Sequence, residues 1–469
     1  MKPTNNPNAL LAIICISYFM VILDNSIIFT GLPLIEASMR FTPASLAWVT
    51  NAYVLVFGGF LLLGARAGDL LGRRRVFLVG LTVFGISSAL VGLAPFSEWL
   101  IAARAVQGLG AAILAPSSMA LLTEHFEDGH QRGRAVAAYS AVAGIGASAG
   151  LVIGGILADT ISWRAGFFLN VPIAVAMIVA ALRVIGTSPR HEGRFDLIGA
   201  VSGTAGMTAL VFGINNAAET SWTTLTTIGS MVVAVILLVV FVLNEARAKQ
   251  PIMPLRLFAN RQRVGAYLTR LLYLGAMFGF FFFTTQYMQG ILHFSPLQAG
   301  FGFLPMSAIN FIIALLVVRF VRRFGGPTVL IAGVTLTGIG MAWLSLVGPA
   351  SNYWWSVALP MTLIGTGQGL AFAPMTSFGL TQVEPKDAGA ASGIVNTFHQ
   401  VGSGLGLSIL VAMGSAANAA TVSGQNALLQ RINVALVGST ILLSVALVIV
   451  LVLIARNRRH MPGAFSSAG

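Results

Sequence analysis

Cysteine, charge and acidic side chains are all scarce in this chain of 469 residues. Cys15 stands alone, so no intramolecular disulfide and no cysteine-based metal site can form. Only 9% of residues are charged and 14 are acidic, against 56% hydrophobic, which excludes an ordinary soluble domain. No phosphate-binding G-x-x-x-x-G-K-[ST] stretch occurs, so ATP drive by this chain is excluded. No H-E-x-x-H, paired acids or His/Asp cluster lies within an apolar run, so no enzyme, metal site or cofactor is expected. The charged rings and filter loops of a channel are missing too. Lys and Arg number 27, but they sit in short loops between apolar runs, and no nucleic-acid partner is expected. The first apolar run is too long for a cleavable leader and carries Asp24 in place of a small-residue cleavage site.

What the chain has in abundance is apolar runs long enough to cross a bilayer. They predict an all-α polytopic membrane protein with fourteen spans, near 9–34, 46–65, 76–95, 98–122, 133–157, 166–186, 196–215, 224–245, 264–290, 297–319, 327–348, 353–380, 388–413 and 432–455. Loops carrying Arg73–Arg75, Arg132/Arg134, Arg190/Arg194, Arg247–Arg263, Arg322/Arg323 and Lys386 fall on one side, together with both termini. The opposite loops hold only Arg40, Arg164 and Arg431. The positive-inside rule makes the basic side cytoplasmic, which predicts a cell-membrane protein with both termini in the cytoplasm. Trp48, Trp99, Trp163, Trp222, Trp354 and Trp355 all fall at outer span ends, where an aromatic belt belongs.

An internal repeat runs at an offset of 253 positions. Phe41-Thr42-Pro43 returns as Phe294-Ser295-Pro296, and Gly72, Val76, Gly80, Thr82, Gly85 and Ile86 return as Gly325, Val329, Gly333, Thr335, Gly338 and Ile339. With a small slip, Ala115-Pro116 matches Ala373-Pro374 and Gly146/Gly150 match Gly402/Gly406. The expected organisation is a six-helix half over 1–190, two inserted helices and a linker over 191–260, a second six-helix half over 261–460, and a tail over 461–469. Paired six-span halves of this kind are a transporter architecture with the substrate site at the membrane midplane.

Asp24 is the one carboxylate well inside an apolar run, and at roughly 2.5–3.5 kcal/mol of insertion cost such a residue is a functional hypothesis by default. Arg104 is its cationic counterpart, placed in span 4 at comparable depth, with Gln107 on its face at i+3 and Gly108 at i+4 giving room for close helix approach. Gly146, Gly150, Gly154 and Gly155 form small-residue ridges in span 5 suited to tight helix packing. Between spans 2 and 3, Asp69, Gly72, Arg73 and Arg74 make a turn that the glycine allows to reverse, with Asp69 able to pair with Arg73. Asn25, Asn51, Gln107, Gln286, Asn310, Gln368 and Asn396 are candidate substrate-binding polar groups. His399 reads as structural, and Arg270, about two turns inside span 9, as snorkelling.

The stretch Gly64-Ala65-Arg66-Ala67-Gly68-Asp69-Leu70-Leu71-Gly72-Arg73-Arg74 resembles the G-x-x-x-D-x-x-G-R-R signature between spans 2 and 3 of the major facilitator superfamily. Leu23-Asp24-Asn25-Ser26 with Leu32-Pro33 resembles the span-1 motif L-D-x-T-x-x-x-x-x-L-P of its fourteen-span drug:proton antiporters. Arg104-Ala105-Val106-Gln107-Gly108-Leu109-Gly110 resembles the span-4 signature that proton-coupled members place at the coupling site. Trp163-Arg164-Ala165-Gly166-Phe167 with Asn170-Val171-Pro172, and the linker around Pro251-Ile252-Met253-Pro254, are similar to further motifs of that subfamily. Leu151 stands where the span-5 antiporter signature has proline.

The resemblance implies the major facilitator fold, with Asp24 and Arg104 as the proton-coupling pair and the 69–74 turn and span-5 glycines as conformational motifs. It implies export of lipophilic drugs or antibiotics by proton antiport. The lone carboxylate and the Phe-, Met- and Leu-rich lining favour neutral or monocationic compounds. The alternative is a facilitator or proton symporter for a small metabolite. The expected partners are a small-molecule substrate, protons and the lipid bilayer, and the chain is expected to be monomeric.

Overall fold

The computed structural model describes residues 7–126, 130–186, 195–384, 387–416 and 424–455. Arg190, Arg194, Lys386, both termini and the tail 461–469 lie outside the described residues. Among the described residues there is no strand, and fourteen helices are long and apolar enough to cross a membrane. They are α1 (Pro7–Met39), α2 (Ala44–Leu71), α3 (Arg73–Gly92), α4 (Ser97–His125), α5 (Gln131–Thr160), α6 (Trp163–Val184) and α7 (Leu197–Glu219). Then follow α8 (Leu225–Arg247), α9 (Arg261–Gly290), α10 (Pro296–Phe324), α11 (Gly326–Leu344), α12 (Trp354–Gly379), α13 (Ala388–Ala416) and α14 (Gln425–Ile454). Every predicted span appears, because hydrocarbon offers backbone amides no partner and a helix satisfies them internally.

The chain divides into two compact units. One comprises the described residues up to Ile252 together with Met288–Phe301. Within it α5 packs closely on α1. A methyl group on Gly150 would stand 2.6 Å from Ser26 Cβ and 2.8 Å from the Leu23 carbonyl, and one on Gly154 would stand 2.8 Å from the Ile27 carbonyl. Gly155 faces the opposite neighbour, where a methyl would lie 2.6 Å from the Pro296 carbonyl. Small residues therefore let backbone meet backbone, which is how helices associate where hydrophobic drive is weak.

Gly72 joins α2 to α3 at φ +95°, a conformation costly for any residue with a Cβ. It brings Arg73 to Asp69 at 3.5 Å, and the same guanidinium reaches Glu124 at 3.3 Å and donates to the Ala120 carbonyl at 3.0 Å. Arg74 donates to the Leu182 carbonyl at 2.8 Å. The turn thus ties α2 and α3 to the ends of α4 and α6.

Helices α7 and α8 pair with each other, and α7 rests on α2. Between them Trp48, Phe60, Thr204, Phe212, Val233 and Leu237 line an apolar recess of about 480 Å³. The rest of α8 exposes Val232, Val235, Ile236, Val239 and Leu243, an apolar face suited to the hydrocarbon of a bilayer.

The other unit comprises Met253–Tyr287 and the described residues from Gly302 onward. Its linker is clamped to it: Arg256 grips Asp387 with bonds of 2.6 and 2.9 Å, and Arg263 donates to the carbonyls of Leu257, Thr381 and Gln382. Gly275 on α9 meets Gly402 and Gly406 on α13 backbone to backbone, echoing the crossing of α5 on α1.

The sequence repeat has a conformational counterpart. Arg40 and His293, 253 positions apart, both adopt φ +55°, and Gly72 and Gly325 adopt +95° and +82°. Each Arg40/His293 kink leads into a reciprocal cap, Thr42 with Ser45 in one copy and Ser295 with Gln298 in the other. Trp163 stands at a span end, as expected, but with its ring turned inward. Trp163 is 6% exposed and donates to Ser38 Oγ at 3.1 Å, so it is a packing residue of α6, whereas Trp222, Trp354 and Trp355 are well exposed.

Candidate functional site

Asp24 lies inside the first unit with no exposure to solvent. Its same-face neighbours on α1, Met20, Val21, Ile27 and Ile28, are all apolar, so the acid finds its partners on facing helices. Arg104 Nη1 on α4 donates to Asp24 Oδ2 at 2.7 Å. The other oxygen, Oδ1, accepts from Gln107 Nε2 at 2.8 Å and from Asn170 Nδ2 at 2.7 Å. Arg104 is held in turn by Nε donating to the Val49 carbonyl at 3.0 Å and Nη1 to Gln107 Oε1 at 2.6 Å. Its guanidinium lies 4.4 Å from the Tyr53 ring centroid and 5.6 Å from that of Phe167. Ser88 Oγ on α3 accepts from Gln107 Nε2 at 2.6 Å and from Asn170 Nδ2 at 3.3 Å.

Five helices, α1 to α4 and α6, therefore supply one solvent-inaccessible cluster in which one acid faces one base. Asp24, Ser88, Arg104, Gln107 and Asn170 are all 0% exposed. A buried pair of this kind is stable only because hydrogen bonds accompany the charge attraction, and removing one partner typically costs about 3–5 kcal/mol. A proton on Asp24 would cancel the acid's charge, end the ion pair and leave Arg104 as an unmatched buried charge. A group that holds together in one protonation state and loosens in the other can bias a conformational equilibrium.

The pairing of Asp24 with Arg104 is the juxtaposition that the depths of the two residues in their spans predict. Gln107 belongs to this cluster as a bridging residue. Asn25 is half-buried beside Asp24, with its Oδ1 buried and lacking a hydrogen-bond partner among the described residues, and Asn51 is fully buried on α2. In the second unit Gln286 is nearly buried and donates back to the Phe282 carbonyl at 3.3 Å. Asn310 and Gln368 are half-buried, and Asn396 is exposed and donates to the Ser392 carbonyl at 3.1 Å.

Sequence reasoning missed Asn170 and Ser88 as members of the cluster. Asn170 carried a usable signal, an amide at the third position of Phe168-Leu169-Asn170 within an apolar run, whereas Ser88 carried none. Arg270 does not snorkel: it is 6% exposed and bonded to Thr376 and His399.

Residues 14–407 match the Major Facilitator Superfamily. The chain belongs to that superfamily. As a superfamily member it is a multi-pass membrane transporter and not an enzyme. It is 40% identical over 413 residues to the cephamycin export protein CmcT of Amycolatopsis lactamdurans, covering 87% of this chain and 85% of that one. It is 36% identical to the puromycin resistance protein pur8 of Streptomyces alboniger (87% and 82% covered). It is 32% identical to a tetracenomycin C resistance and export protein of Streptomyces glaucescens (85% and 74% covered). Among solved structures, the nucleoside transporter NupG superposes with a TM-score of 0.65, covering 94% of this chain and all of that one. A bacterial homologue of the lysosomal transporter Spinster gives 0.67, covering 95% and 96%. Both are 14% identical to this chain and share with it the facilitator fold.

Proposed function

We propose that this major facilitator protein is a secondary active exporter of lipophilic small molecules, driven by proton antiport, with Asp24 and Arg104 as the coupling pair. The observation that carries the reading is the fully buried Asp24–Arg104 pair at 2.7 Å, caged by Gln107, Asn170 and Ser88. The export and resistance functions in the names of the relatives support the direction of transport. The basic loops support a cell-membrane orientation with cytoplasmic termini. In the proposed cycle a proton from outside neutralises Asp24 and frees Arg104, and loss of the proton restores the pair. Alternating access follows as the two protonation states favour different conformations. The small-residue crossing of α5 on α1 and the Arg73 and Arg74 contacts are the mechanical elements of that change. Neutral or monocationic lipophilic compounds are the starting substrate class, and puromycin is the first antibiotic to try.

The test is uptake of a lipophilic monocation dye, rhodamine 6G, into inverted vesicles with and without a collapsed proton gradient. The expected result is gradient-dependent accumulation that disappears in Asp24→Asn. Gradient-independent transport, or an unaffected variant, would instead support a facilitator of the same fold.

A further inference from the structure

The apolar recess between α2, α7 and α8 takes no part in the Asp24 cluster, and its shape follows from the sequence of α7. Two faces of that helix meet neighbours. Gly203, Gly206 and Gly213 lie against Phe241, Leu238 and Met231 of α8, and Thr204 stands so close to Gly59 of α2 that no methyl fits there. A third face reads Val201, Ala205, Thr208, Ala209 and Phe212, a spacing that keeps to one side of a helix. Small residues in the middle of this face and larger ones at its ends hollow it into a slot. Trp48 and Phe60 on α2 and Val233 and Leu237 on α8 complete its walls, enclosing about 480 Å³.

The slot is long and open along its side. Trp48 and Phe60 lie about 18 Å apart along α2, and Phe212 and Val201 about 17 Å apart along α7, at 1.5 Å per residue. Val201, Phe212 and Val233 are all well exposed. Trp48 and Phe212 mark one end, with their rings 6.3 Å apart, and Trp48 is the fifth residue of its span. The hydrocarbon of a bilayer is about 30 Å thick, so a slot that starts at a span end and runs this far covers about one leaflet.

Its chemistry changes from one end to the other. No charged side chain lines it, and its two hydroxyls are taken up by their own helix: Thr204 donates to the Ala200 carbonyl at 2.7 Å and Thr208 to the Thr204 carbonyl at 2.8 Å. The length of the slot therefore offers only hydrocarbon contact. Polar groups gather at the Trp48 end. Trp48 carries an indole N–H, and Asn215 stands one turn beyond Phe212 on the same side of α7. Asn215 is 3% exposed, and neither its Nδ2 nor its Oδ1 has a hydrogen-bond partner among the described residues. An apolar slot of one leaflet's length with hydrogen-bonding groups at its mouth matches an amphiphile whose ester stands at the end of a hydrocarbon tail.

We propose that this slot is a binding site for one acyl chain of a bilayer phospholipid, with the ester end toward Trp48 and Asn215. The bound chain fills the gap between α2 and the α7–α8 pair. The lining recognises the tail, so the charge of the head group has little influence. This site is independent of the direction of transport and of its coupling.

The experiment is native mass spectrometry of the delipidated full chain, titrated separately with dioleoylphosphatidylglycerol and dioleoylphosphatidylcholine. The expected result is one tight adduct of similar affinity for either lipid. Ala205→Phe and Ala209→Phe fill the slot and are expected to weaken that adduct at least about tenfold, the effect of shutting out about two methylenes. Val235→Phe, on the exposed face of α8 and outside the slot, is expected to leave it unchanged. Should a phenylalanine variant not purify as folded protein, Val233→Ser adds polarity to the wall without bulk and should weaken the adduct several-fold. Lipid binding that these slot substitutions leave unchanged, or an affinity set by the head group alone, would overturn the proposal. So would a two-chain mass that they abolish, or a rhodamine 6G adduct that they remove while the lipid adduct persists, since the slot would then belong to a second copy or to cargo.

Discussion

Replacing Arg104 with leucine is expected to destabilise the first unit by about 3–5 kcal/mol, enough to deplete the protein from the membrane. The substitution leaves Asp24 in a site with no exposure to solvent, its Oδ2 stripped of the 2.7 Å bond and its charge unmatched. Gln107 also loses the donor to its Oε1. Adding Asp24→Asn to the same chain removes the stranded charge, so the double variant is expected to accumulate better than Arg104→Leu alone and to carry no gradient-driven transport. Accumulation and thermal melting of the two singles and the double form a thermodynamic cycle. A favourable pair gives a coupling energy well above the 0.3–0.5 kcal/mol scatter of independent sites. Additive effects, or an Arg104→Leu protein as stable as wild type, would mean that the pair contributes little.

Gly150→Leu is expected to abolish assembly of the first unit. Even a methyl at this position stands 2.6 Å from Ser26 Cβ and 2.8 Å from the Leu23 carbonyl, and a backbone carbonyl cannot swing aside as a side chain can. Gly150→Ala is expected to cost about 1–3 kcal/mol, the usual range for overpacking. Gly133 on the same helix supplies the control, since a methyl there meets nothing within 4 Å, and Gly133→Ala should be neutral within about 0.5 kcal/mol. The amount of monodisperse protein recovered and its melting temperature decide the order. A Gly150→Leu chain that folds like wild type would show that the crossing of α5 on α1 is looser than described.

The fourteen spans were legible because the bilayer demands uninterrupted apolar length, and composition alone reports that. Their ends were less so. Helix α1 runs to Met39 rather than stopping near 34, and α14 begins at Gln425 rather than near 432, because polar residues such as Glu36 and Asn426 continue a helix without adding hydropathy. The Asp24–Arg104 pair was legible because a lone buried carboxylate is costly and a cation at similar depth resolves the cost. Asn170 and Ser88 were not, since amides and hydroxyls are common in spans and their facing helix is a tertiary fact. Arg270 shows the converse error. Distance from a span end favoured an interfacial position, yet Thr376, His399 and Phe372 enclose it.

The central claim is that Asp24 carries the proton that drives transport. Its most direct test is proton movement in proteoliposomes loaded with a pH-reporting dye, after an outside-to-inside gradient of rhodamine 6G is applied. Antiport through Asp24 predicts that dye entry is accompanied by alkalinisation of the lumen in wild type and by no pH change in Asp24→Asn. Dye entry without proton movement in wild type, or undiminished alkalinisation in Asp24→Asn, would contradict it.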